Sequence, residues 1–286
     1  MRASPAVLLA AALLAGFALD EARADTIATI RSRGTLVIGY REGAPPFASV
    51  DAQNRPQGYS IDLCNRIADS VKSVLGMSQL QVRYVPVTAE NRIDELESGE
   101  IDIECGSTTR TLSRQARVDF TLFTFLTGTE MLVREDSNIS GPDDLDGKKI
   151  AVQPGTTTEK AIKRALSESG RKAEIVPVND SQAGFAALEG RKVDAYASDE
   201  VVLIGLAKAS KNPRAFRLTG QLYSYEPYAL MVRKNDADFR LIADRTLALV
   251  YQDGEIIEIW RRWFGDWVAE PPVLLRAMYA IQSLVP

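Results

Sequence analysis

The sequence predicts an α/β protein in which two similar units of alternating strands and helices face each other across a cleft. Short β-rich runs alternate with stretches of helical spacing along most of the chain, as in parallel sheets covered by helices. One pattern also occurs twice: Leu96–Asp102 and Leu188–Asp194 each read as a helix end, a glycine and a strand start that carries an aspartate. Two like βα units with a cleft between them are the economical interpretation.

The first residues predict export. Met1–Ala24 contains an early arginine, an apolar run from Pro5 to Leu19 and an Ala-x-Ala end, which is typical of a cleaved secretory signal. The alternative, a membrane anchor, is disfavoured because the run is shorter than the roughly 20 residues that a span requires. We expect a mature chain from about Asp25, located in the periplasm, with no integral membrane segment.

Composition excludes several classes of function. The 286 residues carry a net charge of −4 and no basic run, so nucleic acid is not an expected partner. Histidine is absent, which removes the commonest general base and the commonest transition-metal ligand. We predict neither a metal nor a cofactor. Cys64 and Cys105 both lie on apolar faces; an exported chain favours a disulfide, but two buried free thiols are equally ordinary.

The predicted elements follow one another as βα series. Each strand is a β-branched or apolar run, and each helix is an apolar stripe with helical spacing. The predicted strands are Thr35–Tyr40, Leu80–Val87, Ile101–Ile103, Lys149–Val152, Glu174–Val178, Val193–Ala197 and Tyr228–Arg233. The predicted helices are Tyr59–Leu75, Asn91–Glu97, Glu159–Ser169, Ala183–Glu189, Val201–Lys208, Ala237–Gln252 and Glu255–Phe264. Ligands of such sheets bind beyond the carboxyl ends of the strands, where Arg41 and Ser107 fall.

Two hydroxyl-rich turns predict an anion site. Glu104–Arg114 follows a strand and combines hydroxyls, backbone N–H groups and a terminal arginine, which suits a carboxylate. Gly155–Thr158 caps a predicted helix and is a second anion cradle. We expect the two turns to face each other and to hold one small ligand. A phosphate or sulfate is an alternative, but Asp199 would then be a like charge beside it.

Seven motifs resemble the periplasmic glutamate/aspartate-binding proteins of ABC transporters. They are Gly39–Glu42, Gly58–Ser60, Thr88–Ile93, Glu104–Thr109, Gly155–Thr157, Ser198–Asp199 and Tyr228–Lys234. They cover nearly all of the mature chain in order, and the hexapeptide Glu-Cys-Gly-Ser-Thr-Thr is specific to this branch. The resemblance implies a type II periplasmic-binding-protein fold. Lobe 1 would be residues 25–131 and 229–286 and lobe 2 residues 132–228, with a two-strand hinge near Leu132-Val133 and Ala229-Leu230.

The resemblance also implies ligand contacts. Arg114, with Ser107 and Thr109, would hold an α-carboxylate, and Thr157 with Thr156 would add donors to it from lobe 2. Asp199 would take the α-ammonium. Arg41 and Arg92 would hold a side-chain carboxylate. At the side-chain end, the family's usual serine and histidine are replaced by Ala89 and Ser181, which leaves the choice among glutamate, aspartate, glutamine and asparagine open.

The implied activity is capture of an acidic L-amino acid by lobe closure and its delivery to ABC permease subunits, by a protein that we expect to be a monomer and not an enzyme. One alternative is an exported dehydratase or lyase on the same fold, for which Glu42, Glu104 and Glu130 are candidate acids or bases. Another is a sensory binding protein that reports ligand occupancy to a receptor.

Overall fold

Residues 25–284 are described by the structure, a computed structural model; the expected signal segment lies outside them. The strands are β1 Thr35–Tyr40, β2 Ser49–Val50, β3 Pro56–Gln57, β4 Gln81–Pro86, β5 Ile103–Glu104, β6 Val118–Arg134, β7 Lys149–Val152, β8 Glu174–Pro177, β9 Ala195–Asp199, β10 Phe216–Leu218 and β11 Ser224–Arg233. The α-helices are α1 Thr26–Arg33, α2 Tyr59–Val74, α3 Arg92–Ser98, α4 Leu112–Gln115, α5 Thr157–Ser169, α6 Ser181–Glu189, α7 Glu200–Ala209, α8 Ala237–Gln252, α9 Glu255–Phe264 and α10 Val273–Gln282. Short 3₁₀ turns occupy Pro142–Asp144 and Pro213–Ala215.

Two parallel half-sheets are joined by two long antiparallel strands. The strand order is β4-β1-β5-β11-β6-β9-β7-β8, with β10 pairing on β6. The strands β4, β1 and β5 are parallel to one another, and so are β9, β7 and β8. The pair β6 and β11 runs antiparallel between the halves and therefore belongs to both. This is the predicted α/β architecture of two βα lobes and a two-strand hinge.

Strand pairing indicates lobe boundaries a few residues earlier in the chain than those expected from the sequence. Residues 129–133 of β6 pair with β9 of the second lobe, whereas the pairing of β11 with β5 of the first lobe begins at Met231. We propose that the crossings lie near Thr127-Gly128 on β6 and Glu226-Pro227 on β11. Both positions precede those expected at Leu132 and Ala229 by a few residues.

The sequence predicted most helices and strands but not β6, one of the two strands that belong to both lobes. The 17 residues of β6 alternate poorly, because the strand changes surroundings along its length and is buried on both faces for part of it. Helix α5 begins at Thr157, two residues before the expected Glu159, because the hydroxyl of Thr156 accepts from Glu159 N at 3.1 Å and caps the helix there.

The core carries the aromatic residues of the C-terminal helices. Trp260 is 3% exposed and is stacked on Phe125 and Phe264. Cys64 of α2 and Cys105 form a disulfide with a Cα–Cα distance of 6.4 Å, so the disulfide alternative is the one adopted. The bond fixes the residue just before the turn Gly106-Ser107 to the core. Among residues 25–284, no helix has the length and apolar character needed to cross a bilayer.

Candidate functional site

All nine residues singled out in the sequence line one cavity between the two lobes. The first lobe contributes Arg41, Arg92, Ser107, Thr109 and Arg114, and the second contributes Thr156, Thr157, Ser181 and Asp199. The cavity is also lined by Thr158 and Ser198, which belong to stretches already noted in the sequence, and by Gln153, Ala197 and Val202, which the sequence did not indicate. Strand ends and helix starts supply most of this lining, because the carboxyl ends of parallel strands meet at one edge of each half-sheet.

Three guanidinium groups give the cavity its positive charge. Arg92, the first residue of α3, is 2% exposed, and its Nε and Nη1 have no hydrogen-bond partner within residues 25–284. Burial, and next the nearby Arg114, lower the pKa of Arg92 to about 9, so it remains a cation at neutral pH. The pKa of Arg114 is also lowered, chiefly by burial. A buried cation with unpaired donors has much to gain from an anionic ligand.

Glu104 provides part of the charge balance. Its carboxylate is fully buried at the end of β5, and neither oxygen has a hydrogen-bond partner within the described part of the chain. Its negative charge partly offsets the effect of burial on Arg92 and Arg114. A Cβ on Gly106 would lie 2.4 Å from Glu104 Oε1, so a side chain at this position would force the carboxylate to move.

Arg41 reaches across the cleft. Its Nη2 donates to Oε1 of Gln153, on the second lobe, at 2.5 Å, and its Nη1 lies 3.4 Å from Ser107 Oγ. The Gln153 amide is oriented by its own Nε2, which donates to the carbonyl of Asn179 at 2.7 Å. This bond turns the amide oxygen toward Arg41. Gln153 was missed because no local pattern shows that the residue after β7 meets Arg41.

Arg114 also joins the two walls. Its Nη1 donates to the carbonyl of Thr109 at 2.7 Å, and its Nη2 reaches the carbonyl of Gly155 at 3.4 Å. Gly155 has φ of +73°, and a Cβ there would lie 3.3 Å from the carbonyl oxygen of Ala89 on the first lobe. A side chain would therefore be strained and would crowd this contact. The structure is thus a closed arrangement of the lobes.

The acidic residue of the cavity is Asp199, the last residue of β9. Its Oδ2 accepts a hydrogen bond from the hydroxyl of Tyr228, while its Oδ1 is buried without a partner in the described residues. Burial, and then the neighbouring Glu226, raise the pKa of Asp199 to about 7, against the smaller opposing effects of Tyr228 and two arginines. The sequence placed Tyr228 at the start of a predicted strand and in a motif, but it did not indicate the contact with Asp199.

The hydroxyl groups of Thr156, Ser181 and Thr157 differ in their contacts within the protein. Thr156 donates to the carbonyl of Gln153 at 2.7 Å and accepts from Glu159 N, so its hydroxyl proton is used within the protein. Ser181, the first residue of α6, is buried. Thr157 Oγ1 lies 3.3 Å from Thr109 Oγ1 across the cleft.

Two hinged lobes that close over a cavity with three arginines and one aspartate define a receptor for a small solute carrying both anionic and cationic groups. The bacterial extracellular solute-binding proteins, family 3, match residues 36–266. The chain belongs to this family. The resemblance drawn from the motifs and the type II fold are confirmed.

Several relatives carry names that state a ligand. The chain is 34% identical to the L-glutamate/L-aspartate-binding protein of Pseudomonas aeruginosa over 268 residues, covering 92% of this chain and 89% of the relative. It is also 34% identical to the glutamate/aspartate import solute-binding protein of Salmonella typhimurium over 275 residues, covering 95% and 90%. One similar solved structure is an ancestral amino acid-binding protein described as a precursor of cyclohexadienyl dehydratase. Its TM-score is 0.74 at 28% identity, and the match covers 84% of this chain and 100% of the ancestral protein.

Proposed function

We propose that this protein captures L-glutamate or L-aspartate in the periplasm and delivers it to the permease subunits of an ABC transporter. The observation that carries the proposal is the pairing, in one cavity, of Asp199 with three arginines of which two, Arg41 and Arg92, are additional to the α-carboxylate arginine. A neutral amino acid needs one cation and one anion for its α groups. The two further cations fit a second carboxylate.

The charges of the cavity residues indicate which group of the ligand each residue would contact. Arg114 is assigned to the α-carboxylate, together with Ser107 and backbone N–H groups of the Thr109 and Thr156-Thr157 turns. Asp199, an acceptor-only group when ionised, is assigned to the α-ammonium. Arg41 and Arg92 take the side-chain carboxylate, and Ser181 lies at the same end. Each charged hydrogen bond contributes roughly 1.5–3 kcal/mol.

Ligand binding and lobe closure are coupled in this proposal. The ligand contacts residues of both lobes only when the cleft is shut, so it stabilises the closed arrangement relative to the open one. The permease would recognise the closed surface. Names of relatives that refer to import support a role in transport.

An enzyme on the same fold is the rival, since a solved relative is described as a precursor of a dehydratase. Three features favour binding without chemistry. Glu42 is hydrogen bonded to Tyr40 at 3.1 Å, and Glu130 accepts from Gly220 outside the cavity lining. Glu104 is fully buried and is not among the residues that line the cavity. We therefore propose that the protein performs no reaction on its ligand.

Calorimetric titration tests the proposal. The mature chain, Asp25 onward, would be unfolded and refolded with its disulfide intact to remove carried ligand, and then titrated with glutamate, aspartate, glutamine and asparagine. Micromolar or tighter binding of the acidic pair, about −8 kcal/mol or better, supports it. Preference for the amides would mean that Ala89 and Ser181 have changed the side-chain end. Absence of binding by all four would overturn it, and turnover of a bound amino acid would favour the enzyme.

A further inference from the structure

Glu226 is a buried carboxylate that the sequence did not indicate and that does not line the cavity. It lies on β11 near the crossing between the lobes and is 1% exposed. Four hydroxyl groups are hydrogen bonded to it. They belong to Thr109, Thr129, Thr157 and Ser224. Four donors on one carboxylate satisfy it fully, which is what its burial requires.

Two of these donors come from opposite walls of the cleft and share one oxygen. Thr109 is on the turn of the first lobe, and Thr157 is the first residue of α5 in the second. Both donate to Glu226 Oε2, Thr157 at a distance of 2.6 Å. This bridge exists only while the cleft is closed, because opening would separate Thr157 from Thr109.

We infer that Glu226 is a positioning residue of the ligand site, which sets the direction of the Thr109 and Thr157 hydroxyl protons and joins the two lobes through them. The inference rests on the proposed function, because it concerns the same site. A threonine hydroxyl has one proton and two lone pairs. When the proton is donated to Glu226, only lone pairs are left for the cavity.

The two hydroxyls therefore face a ligand as acceptors. With the unpartnered Oδ1 of Asp199 they make three acceptors, which equals the three N–H donors of an α-ammonium group. The charge of Glu226 also raises the pKa of Asp199, second to the effect of burial. This assignment replaces the expectation that the Thr109 and Thr157 hydroxyls donate to the α-carboxylate. Arg114 and backbone N–H groups at the start of α5 bind the α-carboxylate instead.

The primary test is a double-mutant cycle between Glu226→Gln and Thr157→Val, read by calorimetric titration with whichever of the four amino acids binds best. The glutamine side chain has nearly the same shape as glutamate but replaces one acceptor oxygen with an NH2 donor, so the two hydroxyls that face the new nitrogen must reverse their protons. We expect Glu226→Gln to weaken binding by about tenfold to a hundredfold. Thr157→Val should cost about tenfold in the wild-type background and little in the Glu226→Gln background. Additive losses would overturn the inference.

Three further measurements separate positioning from a purely structural role. Thr157→Ser keeps the hydroxyl and should bind within about threefold of wild type, and this comparison remains informative even if Glu226→Gln does not fold. Ser224→Ala removes a hydroxyl from the same carboxylate without touching the cleft and should also stay within about threefold. Glu226→Gln should move the inflection of the affinity–pH curve to lower pH, because the amide removes the repulsion felt by Asp199; an unmoved inflection contradicts the inference.

If the proposed function is wrong, the wild-type protein will bind none of the four amino acids. This result is distinct from additivity in the double-mutant cycle, which counts against the inference about Glu226. A second cycle, between Glu226→Gln and Thr109→Val, is then measured through the free energy of unfolding of the ligand-free protein. The Thr109–Glu226 contact lies beside the Thr109–Tyr228 β-bridge and does not require a closed cleft, so coupling there supports the positioning role independently of the ligand, and additivity overturns it.

Discussion

Lowering the pH from 8 to 5 is expected to weaken amino-acid binding through Asp199. This carboxyl must be ionised to accept from an α-ammonium group, but burial and the charge of Glu226 raise its pKa to about 7 in the ligand-free protein. Above pH 7 the carboxylate is ready to bind. Below pH 7 a proton must be released first, so the affinity falls as the pH falls.

The magnitude follows from the ionised fraction. Two pH units below a pKa of about 7, about one carboxyl in a hundred is ionised, so the affinity at pH 5 is expected to be up to about a hundredfold lower than at pH 8. The side-chain carboxylate of free glutamate, with a pKa of about 4.3, is still mostly ionised at pH 5. The ligand itself therefore contributes little to the change.

The assay is calorimetric titration with glutamate at half-unit steps from pH 5 to pH 8, with circular dichroism to verify that the fold is retained. Asp199→Asn is the matched control, because it keeps the size of the side chain and removes its titration. We expect weaker binding by this variant, with a flat profile over the range. A wild-type affinity that changes less than about threefold would refute the assignment of Asp199 to the ammonium group.

The stability of the ligand-free protein should depend on pH in the opposite direction. Native Asp199 holds its proton up to about pH 7, whereas an unfolded aspartate with a pKa of 3.8 has lost it. Between these values the native state binds more protons than the unfolded state, so this residue makes the free energy of unfolding fall as the pH rises. The difference between wild type and Asp199→Asn in urea unfolding isolates this contribution.

Two other predictions concern the arginines and the disulfide. Arg114→Ala should weaken binding of every amino acid by more than about a hundredfold, because two charged hydrogen bonds are lost, whereas Arg41→Ala should mainly reduce the preference for acidic over amide side chains. Titration with glutamate and glutamine compares them, and normal glutamate binding by Arg114→Ala would contradict the site. Replacing Cys64 and Cys105 by alanine opens a 41-residue loop and should lower the free energy of unfolding by up to about 4 kcal/mol; an unchanged urea midpoint would contradict this.

Much of the fold was predictable because local patterns determine it. The strand β1 and the helix α2 were predicted within a residue of their observed bounds, since apolar runs and helical spacing depend only on near neighbours. The placement of Arg41 and Ser107 at one edge also followed, because consecutive parallel strands bring their carboxyl ends together. The strand β6 was not predicted, because its burial pattern depends on two different lobes.

The sequence by itself determined the α/β class, the two-lobe organisation and nine residues that meet in one cavity. The tertiary structure alone decided which group each of them contacts. Glu226 is 69 residues from Thr157 and 117 from Thr109, and Gln153 is 112 residues from Arg41. The direction of a hydroxyl proton or an amide depends on a partner that only folding brings near. Residue types and spacing therefore indicate which residues form the site. Which of their groups donate hydrogen bonds and which accept them can be read only from the folded structure, where the two lobes are in contact.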